Sequence, residues 1–144
     1  DPDLECEGEL IFNNVNSGST THGSLKVKNI GIESSRLNWE ITEWPDWGEW
    51  IFSPMSGYNL KPEQGEFTID VSIVAPQETN KEFLGVVKIV NKEDPSDYEI
   101  INVLLTTSKT RYRNYDLMER LIGRFPIFQQ ILSIQQIFER ILNI

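Results

Sequence analysis

Phe67-Thr68-Ile69-Asp70-Val71-Ser72-Ile73 alternates apolar and polar residues without a break. A strand places successive side chains on opposite faces, so this period of two buries one face and wets the other. Leu37-Asn38-Trp39-Glu40-Ile41-Thr42 repeats the pattern, and Leu25 and Val27 alternate with Lys26 and Lys28. Around these stand Leu10–Phe12, Trp50–Phe52, Phe83–Val90 and Tyr98–Leu105, separated by turn chemistry at 16–19, 29–31, 44–46, 56–57, 61–65, 76–80 and 94–96. About seven short strands with no helical pattern between them predict a mainly β fold, an immunoglobulin-like antiparallel β-sandwich. Trp39 is the expected core tryptophan, and one cysteine, Cys6, excludes the inter-sheet disulfide common in such domains.

Two late strands do not alternate cleanly. Val87 and Ile89 share one face while Val86 and Val90 take the other; Ile101, Val103 and Leu105 oppose Ile100 and Leu104. A strand that is apolar on both faces calls for cover on both. The segment C-terminal to it is the nearest candidate.

Charge divides the 144 residues at the same point. Residues 1–108 carry seven Lys and Arg against nineteen Asp and Glu, a balance of −12. Residues 109–144 carry six against three, a balance of +3, and the two give the net −9. The organisation expected is a sandwich over 1–108 followed by a C-terminal amphipathic helical extension over 109–144. Asn114 or Asp116 can cap a first helix ending near Gly123, and Pro126 suits the first turn of a second. Ile127, Ile131, Ile134, Phe138 and Ile141 step by four and three. With Phe128, Leu132, Ile137 and Leu142 the apolar arc exceeds half the helix circumference, more than the stripe one flat surface can cover. Leu117, Leu121, Phe125, Ile127, Phe128, Ile131, Ile134, Phe138, Ile141 and Leu142 are therefore the candidate residues for packing on the sheet, for self-association, or for both. Contact with a membrane surface is a weaker third reading, because the second helix carries only Arg140 as a base while Gln129, Gln130, Gln135 and Gln136 suit a protein neighbour.

Composition narrows the chemistry. An acidic body repels nucleic acid. No stretch approaches the length of apolar chain that spans a bilayer. One histidine, His22, rules out sites needing two imidazoles, and no serine has a nucleophile-elbow context. No phosphate-cradling glycine loop is present, so no cofactor, no metal and no catalytic residue is expected. Lys92-Glu93-Asp94-Pro95-Ser96-Asp97 gathers three acids, yet lacks the calcium-loop spacing of an EF-hand and reads as a solvated turn. Trp44, Trp47 and Trp50 fall within seven residues beside Asp46 and Glu49. Such rings can stack on sugars, giving a candidate polysaccharide site; alternatively they plug one end of the sandwich. The chain opens on Asp1 rather than Met, as expected of a fragment or processed product.

Several stretches resemble a known group. Gly18-Ser19, Gly23-Ser24-Leu25-Lys26-Val27-Lys28-Asn29-Ile30-Gly31, Leu37-Asn38-Trp39, Trp50-Ile51-Phe52-Ser53-Pro54 with Gly57 behind it, Phe67–Val74, and Asn80 followed by Gly85 lie within Leu10–Thr107. Together they look like the BACON group of immunoglobulin-like modules, and are similar to related repeats of prokaryotic surface proteins. The resemblance implies a non-catalytic, extracellular or cell-surface module that works beside other domains of a larger protein. It also implies that carbohydrate is a conceivable ligand, without assigning ligand residues. The helical extension departs from the plain module and points to homo-oligomers.

Overall fold

Each alternating stretch becomes a strand with one buried face. The computed structural model describes residues 1–109. Among them the chain forms β1 (Leu4–Glu7), β2 (Leu10–Val15), β3 (Thr20–Asn29), β4 (Leu37–Glu43), β5 (Glu49–Ser53), β6 (Ser56–Leu60), β7 (Phe67–Val74), β8 (Glu82–Asn91) and β9 (Asp94–Thr107), with one 3-10 turn at Pro62–Gln64. A four-stranded sheet of order β1-β3-β7-β5 faces a five-stranded sheet of order β2-β9-β8-β4-β6. The core lies between them. Leu25, Val27, Ile69, Val71 and Ile73 come from one sheet, and Leu37, Trp39, Val87, Ile89 and Leu105 from the other, all at 1% exposure or less. Each such aliphatic side chain stabilises the fold by roughly 1.5–3 kcal/mol through burial.

Two strands, β1 and β6, lie outside the seven stretches expected to be strands. β1 pairs with β3 and buries Leu4 and Cys6. β6 occupies what reads as a Ser56-Gly57 turn and pairs with β4, Trp39 lying opposite Gly57. Glycine is required there: a Cβ on Gly57 would fall 2.5 Å from Trp39 Nε1, so the bare backbone makes room for the core indole.

The sandwich is also not wholly antiparallel, because β2 runs parallel to β9. The cause is the short Gly8-Glu9 step. Leu4 N–H donates to Asp97 Oδ2 at 2.9 Å, and further along Leu10 pairs with Val103 and Phe12 with Leu105. The chain thus advances along β9 without reversing while it changes sheets. The turn between β8 and β9 is Lys92-Glu93, with Asn91 opposite Asp94, rather than the expected 94–96.

Among the described residues the buried polar side chains are satisfied. Asn29, 3% exposed, accepts from Asp3 N–H (3.0 Å) and Gly31 N–H (2.8 Å), and donates to Leu60 O and Ser35 Oγ (both 3.0 Å). One amide so ties the N-terminus, the β3–β4 loop and β6 together. Thr107 Oγ1 donates to Glu78 O (2.7 Å) and accepts from Lys81 N–H (3.1 Å), closing the other end.

Two outcomes follow from this packing. Gly57→Ala must push Trp39 or β6 aside and should cost about 2 kcal/mol in denaturant unfolding, whereas Gly65→Ala, with open space around its Cβ, should lose only what its positive φ demands. Burial, reinforced by Glu99 and Glu7, pushes the Cys6 thiol up to about 12 from an ordinary 9.0. Between those values the unfolded chain releases a proton that the folded chain keeps. Stability relative to Cys6→Ala should therefore fall as pH rises from about 9 toward 12, by ~1.4 kcal/mol per pH unit at most. A pH series of urea unfolding of both proteins checks it; parallel curves would contradict it.

Candidate functional site

The strands with two apolar faces set the site. On β8 and β9 the inner residues Val87, Ile89, Ile101, Val103 and Leu105 are all buried. The outer residues are left uncovered by the described strands: Leu84 is 66% exposed, Ile100 42% and Val86 39%. Strand pairing assembles them. Leu84 lies opposite Leu104, whose other neighbour is Ile11 of β2, itself 51% exposed. Val86 pairs with Asn102, and Ile100 with Lys88. Ile11, Leu84, Ile100 and Leu104 line a shallow groove of about 370 Å³ bounded by Gly8 and Glu9.

Its far end is polar. Lys88 Nζ sits 4.6 Å over the Tyr98 ring and 3.5 Å from Glu43 Oε2. Val90, expected on this outer face, is instead buried; it stands in register between Glu40 and Tyr98. Ile11 and Leu84 were missed, although Leu10-Ile11-Phe12 and Phe83-Leu84 carry the same two-faced signature as the strands singled out. Ten further candidate residues, Leu117, Leu121, Phe125, Ile127, Phe128, Ile131, Ile134, Phe138, Ile141 and Leu142, lie outside the described residues, as does the expected helical extension they belong to.

The tryptophans do not form a flat platform. Trp47 Nε1 donates to Leu84 O at 2.8 Å and Trp50 Nε1 to Trp47 O at 2.9 Å. Trp47 meets Trp50 edge-on at 5.6 Å and 61°, and Phe83 at 5.4 Å. Trp50 stacks on Phe52 at 5.8 Å. Both Trp47 and Trp50 pack against the core cluster. Pro45 crosses β8 at Gly85, where a Cβ would come within 2.6 Å of its Cγ, so the loop clamps down on the strand. Trp44, 42% exposed and edge-on to Phe52 at 5.9 Å, alone keeps a large open surface. Plugging the sandwich is what two of these rings do.

Other candidates resolve into local structure. His22 Nδ1 and Ser72 Oγ are hydrogen-bonded at 3.0 Å on the outer face of the four-stranded sheet, and no carboxylate bonds the other imidazole nitrogen among the described residues. The three acids of 92–97 each bond internally: Glu93 accepts from Asn38 Nδ2 (2.6 Å), Asp94 from Ser96 Oγ (2.6 Å) and Asp97 from Leu4 N–H and Asn91 Nδ2. Among the described residues no cluster of His, Cys, Asp or Glu is placed to hold a metal. Burial, then Glu5, Asp97 and Asp3, raises the Glu99 carboxyl above the ordinary carboxylate range.

Comparison with known proteins supports the architecture. No family model matches the chain, and no curated protein matches it significantly. Among solved structures it is similar to the ASH / PapD-like domain of human CEP192 (PapD-like domain 7), with a TM-score of 0.54 and 13% identity over 76% of this chain and 86% of that one. A Bacteroides ovatus GH5 xyloglucanase in complex with an XXXG heptasaccharide aligns at a TM-score of 0.45 and 16% identity, over 73% of this chain and 19% of that one. The chain has a mainly β, two-sheet, immunoglobulin-like fold.

The two kinds of tryptophan separate on substitution. Trp47→Phe loses the bond to Leu84 O and the edge contact with Trp50, and should cost about 2 kcal/mol in unfolding stability. Trp44→Ala should cost less than about 1 kcal/mol. Equal losses would contradict the distinction.

Proposed function

We propose that the chain is a non-catalytic interaction module and that its working surface is the outer face of the β8–β9 sheet. One observation carries the reading: Ile11, Leu84, Val86 and Ile100 form a contiguous apolar band on strands whose other face completes the core. Exposed singly, such residues mean little; gathered on one face of a sheet, they mark a contact surface. The PapD-like likeness agrees with an interaction role at the level of fold. An extracellular or cell-surface setting and a BACON-like identity rest on the sequence resemblance alone.

The partner is a further copy of the same chain. Taken as a helix, residues 126–144 carry an apolar arc wider than one flat wall can cover, and the corresponding segment of another copy meets the surplus. The carbohydrate reading keeps one open ring, Trp44, because Trp47 and Trp50 are half-buried against the core.

Light-scattering mass measurement of the full chain tests this. A dimer or larger assembly is expected, shifting to monomer when Ile131, Ile134 and Phe138 are changed together to Ser. A full-length chain that is monomeric at micromolar concentration would refute self-association.

A further inference from the structure

We propose that the β8–β9 outer face is the seat of the chain's own C-terminal segment, residues 126–144, laid back across the strand that leads into it. The proposal takes the working surface named above and assigns its first occupant; self-association is then a matter of what covers the remainder.

Position is the first argument. β9 ends at Thr107, and the chain leaves the described sandwich at Lys109. The strand it leaves is the centre of the apolar band, flanked by β2 and β8. The occupant is thus covalently attached beside its seat, at an effective concentration no free partner matches.

Length is the second. β9 from Tyr98 to Thr107 measures about 33 Å at 3.3 Å per residue. Nineteen residues in helical form measure about 28 Å. Residues 109–125 suffice to reverse direction before that stretch begins. Helix width, about 10 Å, matches two strands spaced about 4.8 Å apart, the number that carries Leu84, Val86, Ile100 and Leu104.

Chemistry is the third. The segment 126–144 repeats apolar residues by four and three, which is the complement of an apolar band. Its approach, 109–125, holds Lys109, Arg111, Arg113, Arg120 and Arg124 against Asp116 and Glu119. Around the band stand the acids Glu9, Glu40, Glu43 and Glu82, on a body of net −12. Lys88 is already engaged with Glu43 and Tyr98. Opposite charges therefore meet when the segment folds back.

The full chain reports the contact through trypsin at Arg140, the one basic residue of the covering segment. Leu84→Asp with Leu104→Asp should speed cleavage after Arg140, read by mass spectrometry, at least tenfold. Ile51→Asp, at an equally exposed position on the opposite sheet, should leave it unchanged. Far-ultraviolet circular dichroism verifies that each variant keeps its sheets; if the double variant unfolds, Ile100→Lys alone serves the same purpose. A second measurement identifies the donor. In a Cys6→Ala background, Val86→Cys with Ile134→Cys should oxidise to a bond within one chain. Unchanged cleavage in the folded patch variant, or a bond formed only between chains, overturns the proposal. Both results are separate from solution mass: a monomer with patch-dependent protection keeps this seat and loses self-association, while an assembly bonded only between chains does the reverse.

Discussion

Strands β8 and β9 carry apolar side chains on both faces, and the fold can bury only one of them. Val87, Ile89, Ile101, Val103 and Leu105 close the core against the four-stranded sheet. Parity then forces Leu84, Val86, Ile100 and Leu104 to the other side, since a strand cannot rotate its side chains independently. A one-residue slip would exchange the faces without removing the problem. The sandwich is therefore complete as a core and incomplete as a surface, and the functional reading follows from that asymmetry.

The rest of the molecule holds this face in place. Trp39 fills the centre because Gly57 leaves room above it. Asn29 fixes one end through five backbone or hydroxyl partners, and Thr107 anchors the other, where the chain departs. The Trp44–Trp50 loop clamps β8 at Gly85 and Leu84, so the tryptophans stabilise the edge of the exposed band rather than forming a separate surface.

Much of this was legible in the residues. Alternation in 37–42 and 67–73 gave the right strands and the right buried faces, including Trp39, because period-two patterning is local. The double-faced character of 86–90 and 100–105 pointed to the outer band for the same reason. What failed was non-local. β6 looks like a turn because Ser56-Gly57 is turn chemistry, and only the indole lying on it explains the glycine. The parallel pairing of β2 with β9 depends on a sheet change at Gly8-Glu9 that no periodicity records. Val90 read as exposed because parity places it outward, yet its neighbours in register, Glu40 and Tyr98, stand beside it in the sheet. Trp47 and Trp50 looked available because aromatic clustering is the same signal for a plug and for a platform; hydrogen bonds to Leu84 O and Trp47 O separate the two.

On this reading the outer band is covered in the intact chain. Solvent paramagnetic relaxation of methyl groups measures it directly, with the Ile51 methyl of the opposite sheet as an open reference. The Ile11, Leu84, Val86 and Ile100 methyls of the full-length protein should relax several-fold more slowly than that of Ile51. Relaxation as fast as at Ile51 would mean that the band stands in water, and would contradict this reading.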